Sequence, residues 1–575
     1  MSEVTDQNIK NILLETEQEL SQSPENIELW IKKVNALVQL RLFEKAIETL
    51  LALSDRLAND AMKSKVLEMA VELSSDHSLY EYGYLCSKRF WELNKKSPKA
   101  AFFAGMFACH CSFPLESIAR FSSVNPSFYK NSEFFNFYGR AYMQMGEPNL
   151  AIEHLSKCLE QEEVSSSALY KLLHAYLYSS DAEEVVVAKY HRLIAEKLSD
   201  SSSSCKVKDF CGVNRVGIIS GDLYSHSVSF FAMPLFQALT DSGLELFVYS
   251  MTKLSKQDAV TKKLKKCANR WVDLESLSSI EAHKLIIDDS IDVLLDLSGS
   301  LGPFDPKIFQ LRSAPVQISY IGYPHTTGLS EMDYRIVDAN TDPEKMTDAY
   351  TYESLLRLPD CFLCYEPHID APPVSESPRL KKDCEGITFG SFNNFAKINP
   401  KVREVWASIL NQVENSSLII KAGPFHEEAF CEKIFLEFEA YGVDRSRLIL
   451  ISWTVSQRDH LKLYDRVDIH LDSFPYNGTT TTCEAAWQGV PTITYEGHSH
   501  RARVGFSLMR SIGLESFVGE DVQQYIKIAI EKASNLSELN DLRKSMRERM
   551  QASVLMDKHK YGKNIIDLMR QLNPR

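Results

Sequence analysis

The segment Asn477-Gly-Thr-Thr-Thr-Thr-Cys-Glu484 has residue types suited to holding a phosphate group. It follows a short apolar run that ends at Asp472, and the residues after it continue in a helical pattern. A helix N-terminus offers unpaired backbone N–H groups and the positive end of the helix dipole, and threonine hydroxyls add donors. Threonine is equally an ordinary helix N-cap, so the segment alone leaves both interpretations open. Glu484 has two interpretations: a carboxylate that accepts hydrogen bonds from ribose hydroxyls, or an ordinary exposed glutamate on a helix.

Two further side chains have the chemistry of a reaction site. Lys397 comes just before a helix start at Asn399-Pro400, where a lysine can reach into a cleft and neutralise a leaving phosphate or remain a solvated surface charge. His226 follows an apolar run and has a side chain suited to handling a proton near neutral pH, although an isolated histidine is more often structural. The turn-rich stretch Gly322-Tyr-Pro-His-Thr-Thr-Gly328 also follows an apolar run. We expect it to form a loop at the rim of the same cleft, with Thr327 as a candidate ligand-binding residue.

The composition excludes several classes of protein. The hydrophobic fraction of 44% and the charged fraction of 25% are those of an ordinary globular protein, and a net charge of -13 disfavours nucleic acid as a partner. The first residues show no secretory signal, and no stretch of the sequence approaches the roughly 20 apolar residues needed to span a bilayer, so we expect a cytoplasmic protein without a membrane span. The twelve cysteines include only one Cys-x-x-Cys, Cys361 to Cys364, so no metal site is expected.

Helical patterns dominate the first 200 residues. Phe135 and Leu169 are 34 residues apart, the period of a tetratricopeptide helix pair, and so are two further pairs of similar residues. Gly139 and Leu155 stand where that repeat needs a small and a large residue. We interpret residues 1–200 as a tetratricopeptide-like helical domain that docks protein partners, with an irregular helical bundle as the alternative. The serine-rich stretch Ser199 to Ser204 is interpreted as a linker.

Beyond this linker, short apolar runs alternate with helical segments. Such runs are typical of parallel strands covered by helices on both faces. The runs are Arg215 to Ser220, Glu245 to Tyr249, Ile291 to Leu297, Val316 to Tyr320 and Tyr334 to Val337, followed by Ile387 to Phe392, Leu418 to Ala422, Arg447 to Ile451, Asp468 to Asp472 and Thr492 to Tyr495. They predict two doubly wound α/β lobes, at 211–382 and 383–575, with a hinge near Asp370 to Lys382. Facing lobes would form a cleft at their strand carboxyl ends.

Several of these segments, in the same order, resemble the O-GlcNAc transferase family. The resemblance runs from about Arg215 to Ala552. Its most specific segments are Arg312-Ser-Ala-Pro-Val-Gln317, Gly322 to Gly328 with Met332-Asp-Tyr334, Phe392-Asn-Asn-Phe-Ala-Lys397, and Asn477 to Thr482 with Trp487-Gln-Gly489. It implies two Rossmann-like lobes of the GT-B type behind tetratricopeptide-like helices, and UDP-N-acetylglucosamine as donor. The short chain resembles the bacterial members of the family.

The resemblance also implies roles for individual residues. Lys397, Thr480 and Thr481 match residues that hold the donor diphosphate, and Glu484 matches the one that binds ribose. Asn394 matches a polar amide that helps to hold the donor, and His460 matches a histidine packed on the uracil ring. His226 matches the histidine near the sugar and acceptor. Asp292 stands where the family has a second histidine, so it is a candidate to share the proton-handling task.

Some positions depart from the family pattern. Ala396 replaces a tyrosine, Thr479 a histidine and Gln457 a lysine near the uracil, and His325 stands where glycine is usual. The leading hypothesis is an inverting, metal-independent transfer of N-acetylglucosamine from UDP-GlcNAc to serine or threonine hydroxyls of proteins. The alternatives are a UDP-glucose-dependent protein glucosyltransferase and a non-catalytic helical-repeat module with a nucleotide-sensing domain.

Overall fold

Helices make up the N-terminal part of the chain. The computed structural model describes residues 2–124, 132–161, 164–199, 207–377 and 386–573. The helices of this part are α1 (Ser2–Gln22), α2 (Ile27–Gln39), α3 (Phe43–Arg56), α4 (Asp60–Asp76), α5 (Tyr80–Leu93), α6 (Pro98–His110), α7 (Pro114–Ser122), α8 (Ser132–Gln144), α9 (Pro148–Ser156), α10 (Ser166–Tyr178) and α11 (Glu184–Lys197). Successive helices pack against one another from α1 to α8, as the predicted stack of helix hairpins requires. Most of the predicted linker, from residue 200 onward, lies outside the described residues.

Gly139, the small residue predicted where two helices cross, does lie at such a crossing. A Cβ atom added to Gly139 of α8 would lie 2.3 Å from Cγ of Leu155 in α9. Contact this close is possible only because glycine has no side chain. The size pattern read from the sequence is therefore confirmed at this crossing.

Gly139→Ala is expected to lower the thermal stability of the helical part. Alanine at the interior of an exposed helix normally stabilises it by about 1 kcal/mol relative to glycine. Here the added methyl group collides with Leu155, and overpacking of this kind costs about 1–3 kcal/mol. Thermal unfolding followed by circular dichroism, with hydrogen exchange of the α8 amides, measures the change. A rise in melting temperature would show that α8 and α9 separate here without cost.

The first parallel sheet follows the helices. Its strands are β1 (Arg215–Ser220), β2 (Glu245–Ser250), β3 (Arg270–Asp273), β4 (Val293–Asp296), β5 (Val316–Ser319), β6 (Tyr334–Asp338) and β7 (Ser354–Leu358). They lie in the order β3-β2-β1-β4-β5-β6-β7, and Val216 of β1 is paired with Leu246 on one side and Val293 on the other. The strand order reverses between β1 and β4. This is the doubly wound arrangement, in which ligands bind beyond the strand ends at the point of reversal.

A second parallel sheet repeats this order. Its strands are β8 (Thr388–Ser391), β9 (Ser417–Lys421), β10 (Leu448–Ile451), β11 (Ile469–Leu471), β12 (Thr492–Tyr495) and β13 (Val518–Gly519). They are arranged as β10-β9-β8-β11-β12-β13, so the order reverses between β8 and β11. The predicted pair of Rossmann-like lobes behind a helical region is confirmed. Part of the predicted hinge, from residue 378 onward, lies outside the described residues.

Helices cover both sheets. Those of the first lobe are α12 (Ser229–Asp241), α13 (Ala259–Lys265), α14 (Ser279–Asp288) and α15 (Pro306–Gln310). Those that follow are α16 (Pro400–Gln412), α17 (Glu428–Ala440), α18 (Gln457–Lys462), α19 (Thr480–Trp487), α20 (Val504–Ser511), α21 (Val522–Ser534), α22 (Leu536–Gln551) and α23 (Lys558–Arg570). The last helix returns to the first lobe, where it packs on α12.

Three strands were missed in the sequence, and all three lie at a sheet edge. They are β3, β7 and β13. Most of their residues are only partly buried, whereas β4 and β5 are buried throughout. A strand covered on both faces needs an unbroken apolar run, and an edge strand does not. The missed strands therefore lacked the pattern by which the others were recognised.

The chain divides into two compact units. One comprises residues 1–145, 150–168 and 427–430, and the other comprises 146–149, 169–426 and 431–575. Both sheets and helix α11 belong to the second unit. Among the described helices, none combines the length and the apolar character that crossing a membrane would require.

Candidate active site

The candidate residues come from loops that follow the innermost strands. His226 follows β1, Asn394 and Lys397 follow β8, and Thr480 and Thr481 follow β11. In each lobe these strands flank the point where the strand order reverses. Parallel strands present their carboxyl ends at one edge of the sheet, so the fold brings these distant segments together.

Two adjoining clefts lie between these loops. The inner cleft, of about 280 Å³, is lined by residues of both lobes that include Asp222, His226, Asn394, Lys397, Thr480 and Thr481. The outer cleft, of about 550 Å³, is lined by Lys421, Trp453, Gln457, His460 and Glu484, together with His226, Thr480 and Thr481. The shared residues mark the place where the two clefts meet.

The N-terminus of α19 lies at that junction. Thr479 precedes the helix but its side chain does not cap the first-turn amides, whereas Asn399 caps α16 by accepting a hydrogen bond from Val402 N at 3.1 Å. The Thr481 hydroxyl instead donates to Oδ1 of Asn393 at 2.7 Å. An uncapped helix N-terminus of this kind is suited to binding an anion.

Lys397 lines the inner cleft from the loop after β8. Its Nζ donates to the backbone oxygen of Asn477 at 2.8 Å and lies 4.0 Å from the ring centroid of Tyr476. Burial lowers the pKa of this ammonium group below the ordinary lysine value, although the nearby Asp472 acts in the opposite direction. Since an ammonium group has three donors and one is occupied here, Lys397 retains donors for a diphosphate.

Asp472, which sequence reasoning did not assign to the site, holds the loop between β11 and α19. Its carboxylate accepts hydrogen bonds from Gly478 N at 2.6 Å and from the Thr494 hydroxyl at 2.8 Å. Burial nevertheless raises the pKa of Asp472 to about 6. An acidic residue directly after a buried strand was the signal available in the sequence.

Glu484 organises the outer cleft. One carboxylate oxygen accepts a hydrogen bond from Nε2 of Gln457 at 2.8 Å, and the other lies 3.1 Å from Nε2 of His460. Nδ1 of His460 is buried without a hydrogen-bond partner among the described residues. The structure thus brings together the residues predicted to bind the ribose and the base.

His226 approaches the junction from the first lobe. Its side chain is 37% exposed, and Nδ1 lies 3.4 Å from the backbone nitrogen of Val228 and 3.7 Å from Oδ1 of Asp222. The other Asp222 oxygen accepts a hydrogen bond from the Ser298 hydroxyl at 2.9 Å. Asp222 was missed, although it stands only four residues before the histidine.

The structure does not bring Asp292 to the site, so its predicted role is corrected. Asp292 precedes β4 and therefore lies at the opposite edge of the sheet from His226. Its carboxylate accepts hydrogen bonds from the backbone nitrogens of Asn214 and Arg215, both at 2.8 Å, and pairs with Lys208 at 2.5 Å. Burial would raise the pKa of Asp292, but these contacts lower it overall. Asp292 joins the start of β1 to the start of β4.

Thr327 is also placed outside both clefts. Its backbone N–H and its hydroxyl both donate to the carboxylate of Glu353, which is itself buried. Thr326 donates to the other oxygen of the same carboxylate at 2.6 Å. Gly322 and Pro324 of this loop line the inner cleft. Thr327 instead fixes the loop through its hydrogen bonds to Glu353. Its predicted contact with the donor is therefore corrected.

Two Rossmann-like lobes with a cleft at their facing strand ends define the GT-B type of glycosyltransferase. Residues 163–370 and 374–565 match glycosyl transferase family 41. The chain therefore belongs to glycosyl transferase family 41.

The sequence of this chain is also similar to those of individual members of the family. The chain is 38% identical over 361 residues to a probable UDP-N-acetylglucosamine--peptide N-acetylglucosaminyltransferase SPINDLY of Solanum lycopersicum, a match that covers 62% of this chain and 38% of that protein. It is 39% identical over 342 residues to the protein of the same name from Arabidopsis thaliana, covering 59% and 37%. The chain thus spans well under half the length of these relatives.

A solved structure matches over a larger share. A mutant of the Thermobaculum terrenum O-GlcNAc transferase has a TM-score of 0.80 and 26% sequence identity, and the match covers 89% of this chain and 98% of that one. The match includes the helical part as well as the lobes, since it covers more of the chain than the two lobes do.

Proposed function

We propose that this protein is an inverting glycosyltransferase that moves N-acetylglucosamine from UDP-GlcNAc to serine or threonine hydroxyls of proteins. The observation that carries the proposal is the junction of the two clefts. There the partly buried Lys397 and the uncapped N-terminus of α19 come from one lobe and His226 comes from the other. A cation and free backbone amides beside a proton-handling group suit the departure of a diphosphate.

The proposed reaction uses these groups as follows. The acceptor hydroxyl oxygen attacks the anomeric carbon, the bond from that carbon to the phosphate oxygen breaks, and UDP leaves with the bonding electrons. Lys397 and the α19 amides stabilise the charge that develops on UDP, the task that a metal ion performs in other enzymes. The hydroxyl proton passes to His226 or to a phosphate oxygen. Among the described residues, no three His, Cys, Asp or Glu side chains form a metal-binding group.

Acceptor proteins are proposed to dock on the helical part. Stacked helix hairpins provide an extended surface for peptide segments. We place the activity in the cytosol, because no disulfide joins the cysteines that the structure describes and reduced cysteines are usual there. Nucleic acid is not a proposed partner, since the net charge is -13.

Donor preference provides the test. Release of the nucleotide from UDP-GlcNAc, UDP-glucose and GDP-fucose is measured with a protein acceptor, and mass spectrometry identifies the sugar attached. The fastest release and a mass increase of N-acetylhexosamine are expected with UDP-GlcNAc, without loss of rate in a metal chelator. Preference for UDP-glucose or GDP-fucose would contradict the assigned sugar but leave glycosyl transfer intact. No release from any donor, with UDP still bound, would favour a nucleotide-sensing module.

The pH profile of the reaction follows from the state of Lys397. Its ammonium group must be charged to stabilise the leaving diphosphate, and burial lowers its pKa to about 8. We therefore expect kcat/KM for the donor to fall as the pH rises through about 8. The bound diphosphate raises the pKa of a neighbouring cation, so kcat should fall at a higher pH than kcat/KM.

Lys397→Arg is the control for this profile. A guanidinium group stays charged throughout the range, so the residual activity of this variant should lack the alkaline decline. A wild-type profile without any decline up to about pH 9.5 would contradict the role of a lysine with a lowered pKa.

A further inference from the structure

A buried ion pair joins α11 to the loop after β12, and neither the sequence nor the proposed mechanism gives it a role. Glu184, the first residue of α11, pairs with Arg501, which lies in the turn between β12 and α20. Nη1 of the guanidinium group is 2.7 Å from one carboxylate oxygen, and Nη2 is 2.7 Å from the other. The side chain of Arg501 is 1% exposed. A pair with two parallel bonds has a fixed geometry.

The pair is charged in the folded protein. Burial would raise the pKa of Glu184, but Arg501 and His325 lower it to about 2. His325, in the loop after β5, has Nε2 3.3 Å from the same carboxylate, and its ring stacks on that of His191 in α11 at a centroid distance of 4.5 Å. One carboxylate of α11 therefore contacts a loop of each lobe. A buried salt bridge adds little net stability, because the cost of removing both charges from water offsets their attraction.

Two backbone hydrogen bonds connect Arg501 to the reaction site. The carbonyl oxygen of Arg501 accepts a hydrogen bond from Asn477 N at 2.9 Å, and the carbonyl oxygen of Asn477 accepts one from Nζ of Lys397 at 2.8 Å. Nδ2 of Asn477 donates to Ser473 O at 2.9 Å, and its Oδ1 accepts from Gly505 N at 3.1 Å. A displacement of the Arg501 carbonyl would therefore be passed through Asn477 to the oxygen that holds Lys397.

From these contacts we propose that the Glu184–Arg501 pair positions the ammonium group of Lys397 for catalysis. The inference rests on the proposed function, in which this ammonium group stabilises the leaving diphosphate. Glu184 fixes the guanidinium group, the backbone of Arg501 fixes Asn477, and Asn477 holds Lys397 in the inner cleft. Neither member of the pair lines the two clefts, so both act through other residues. A misplacement of about 1 Å at a reacting group can lower a rate by about 10²-fold.

The experiment compares a single and a double variant of the pair in the full chain. Glu184→Gln leaves Arg501 buried without its opposite charge, so the melting temperature should fall together with turnover. Glu184→Gln combined with Arg501→Met removes both charges, keeps an acceptor for His325, and should melt near the wild-type temperature. Its turnover should nevertheless remain about 10- to 10²-fold below the wild type, because the turn that holds Asn477 is no longer fixed.

Glu183→Gln is the matched control. Glu183 is the neighbouring glutamate, and its exposed side chain does not cap α11, so both turnover and melting temperature should stay unchanged. Turnover is measured as UDP release from UDP-GlcNAc and is expressed per UDP-binding site, counted by calorimetry. Unfolded molecules therefore do not enter the comparison.

A third substitution tests whether the effect passes through Lys397. Lys397→Met added to the double variant should lower turnover no further than Lys397→Met does alone, since residues that act as a unit have non-additive effects. Multiplication of the two losses would overturn the inference, and so would less than about a tenfold loss in the double variant. Both results would leave the proposed function intact. A wild-type protein that transfers no sugar would overturn both the inference and the proposed function.

Discussion

Lys397→Met should lower the rate of UDP release from UDP-GlcNAc by about 10²- to 10³-fold, the usual cost of removing one preorganised partner of a developing charge. The substitution keeps most of the apolar stem and removes the ammonium group that bonds to Asn477 O beside the α19 N-terminus. Because that charge interacts most strongly with the leaving diphosphate, kcat should fall more than the affinity for UDP. Steady-state kinetics with calorimetric titration of UDP separates the two effects.

Lys401→Met is the matched control. Lys401 lies four residues further along, is 53% exposed and pairs with Glu404 in the same helix, so its loss should leave turnover unchanged. Both variants should retain the wild-type melting temperature to within a few degrees. Turnover of Lys397→Met within about threefold of the wild type would remove this lysine from the transition state.

His226→Ala should lower turnover by about 10²-fold if the imidazole accepts the hydroxyl proton. The histidine belongs to the first lobe. Glu484 and His460, the residues predicted to bind the nucleotide, lie in the second lobe, where Nε2 of His460 is 3.1 Å from the Glu484 carboxylate. UDP affinity should therefore change little.

His559→Ala, at an exposed histidine far along the chain, provides the comparison and should behave as the wild type. A large loss of UDP affinity in His226→Ala would place this side chain in the nucleotide site and overturn the division of roles between the lobes. Unchanged turnover would assign the proton to a phosphate oxygen of the donor instead.

The strands at the centre of each sheet and the helix starts were recognisable in the sequence alone. Most residues of β1, β4, β8 and β11 are buried, and the apolar residues that this requires form short runs in the sequence, interrupted only by small or single polar residues. The start of α16 at Pro400 was visible because Asn399 is a strong N-cap and proline favours the first helical position. Such local preferences act over a few residues and do not depend on the rest of the chain.

The partners of polar side chains depend on the tertiary structure. Asp222 and Asp292 both adjoin strands of the first sheet, but one follows β1 and reaches the cleft while the other precedes β4 and joins the strand starts. Thr327 was expected at the donor and instead donates to the buried Glu353, 26 residues away in the sequence. No spacing rule predicts such pairs, because they form where separate loops meet.

The sequence by itself determined the fold class and the chemical types of the site residues, because hydrophobic periodicity and helix capping are encoded locally. It also located Lys397, Thr480, Thr481 and His226 at strand ends. Only the tertiary structure decided that Lys397 bonds to Asn477 O and that Arg501 pairs with Glu184. These contacts join residues from different segments of the chain, and their geometry is set by the packing of whole strands and helices.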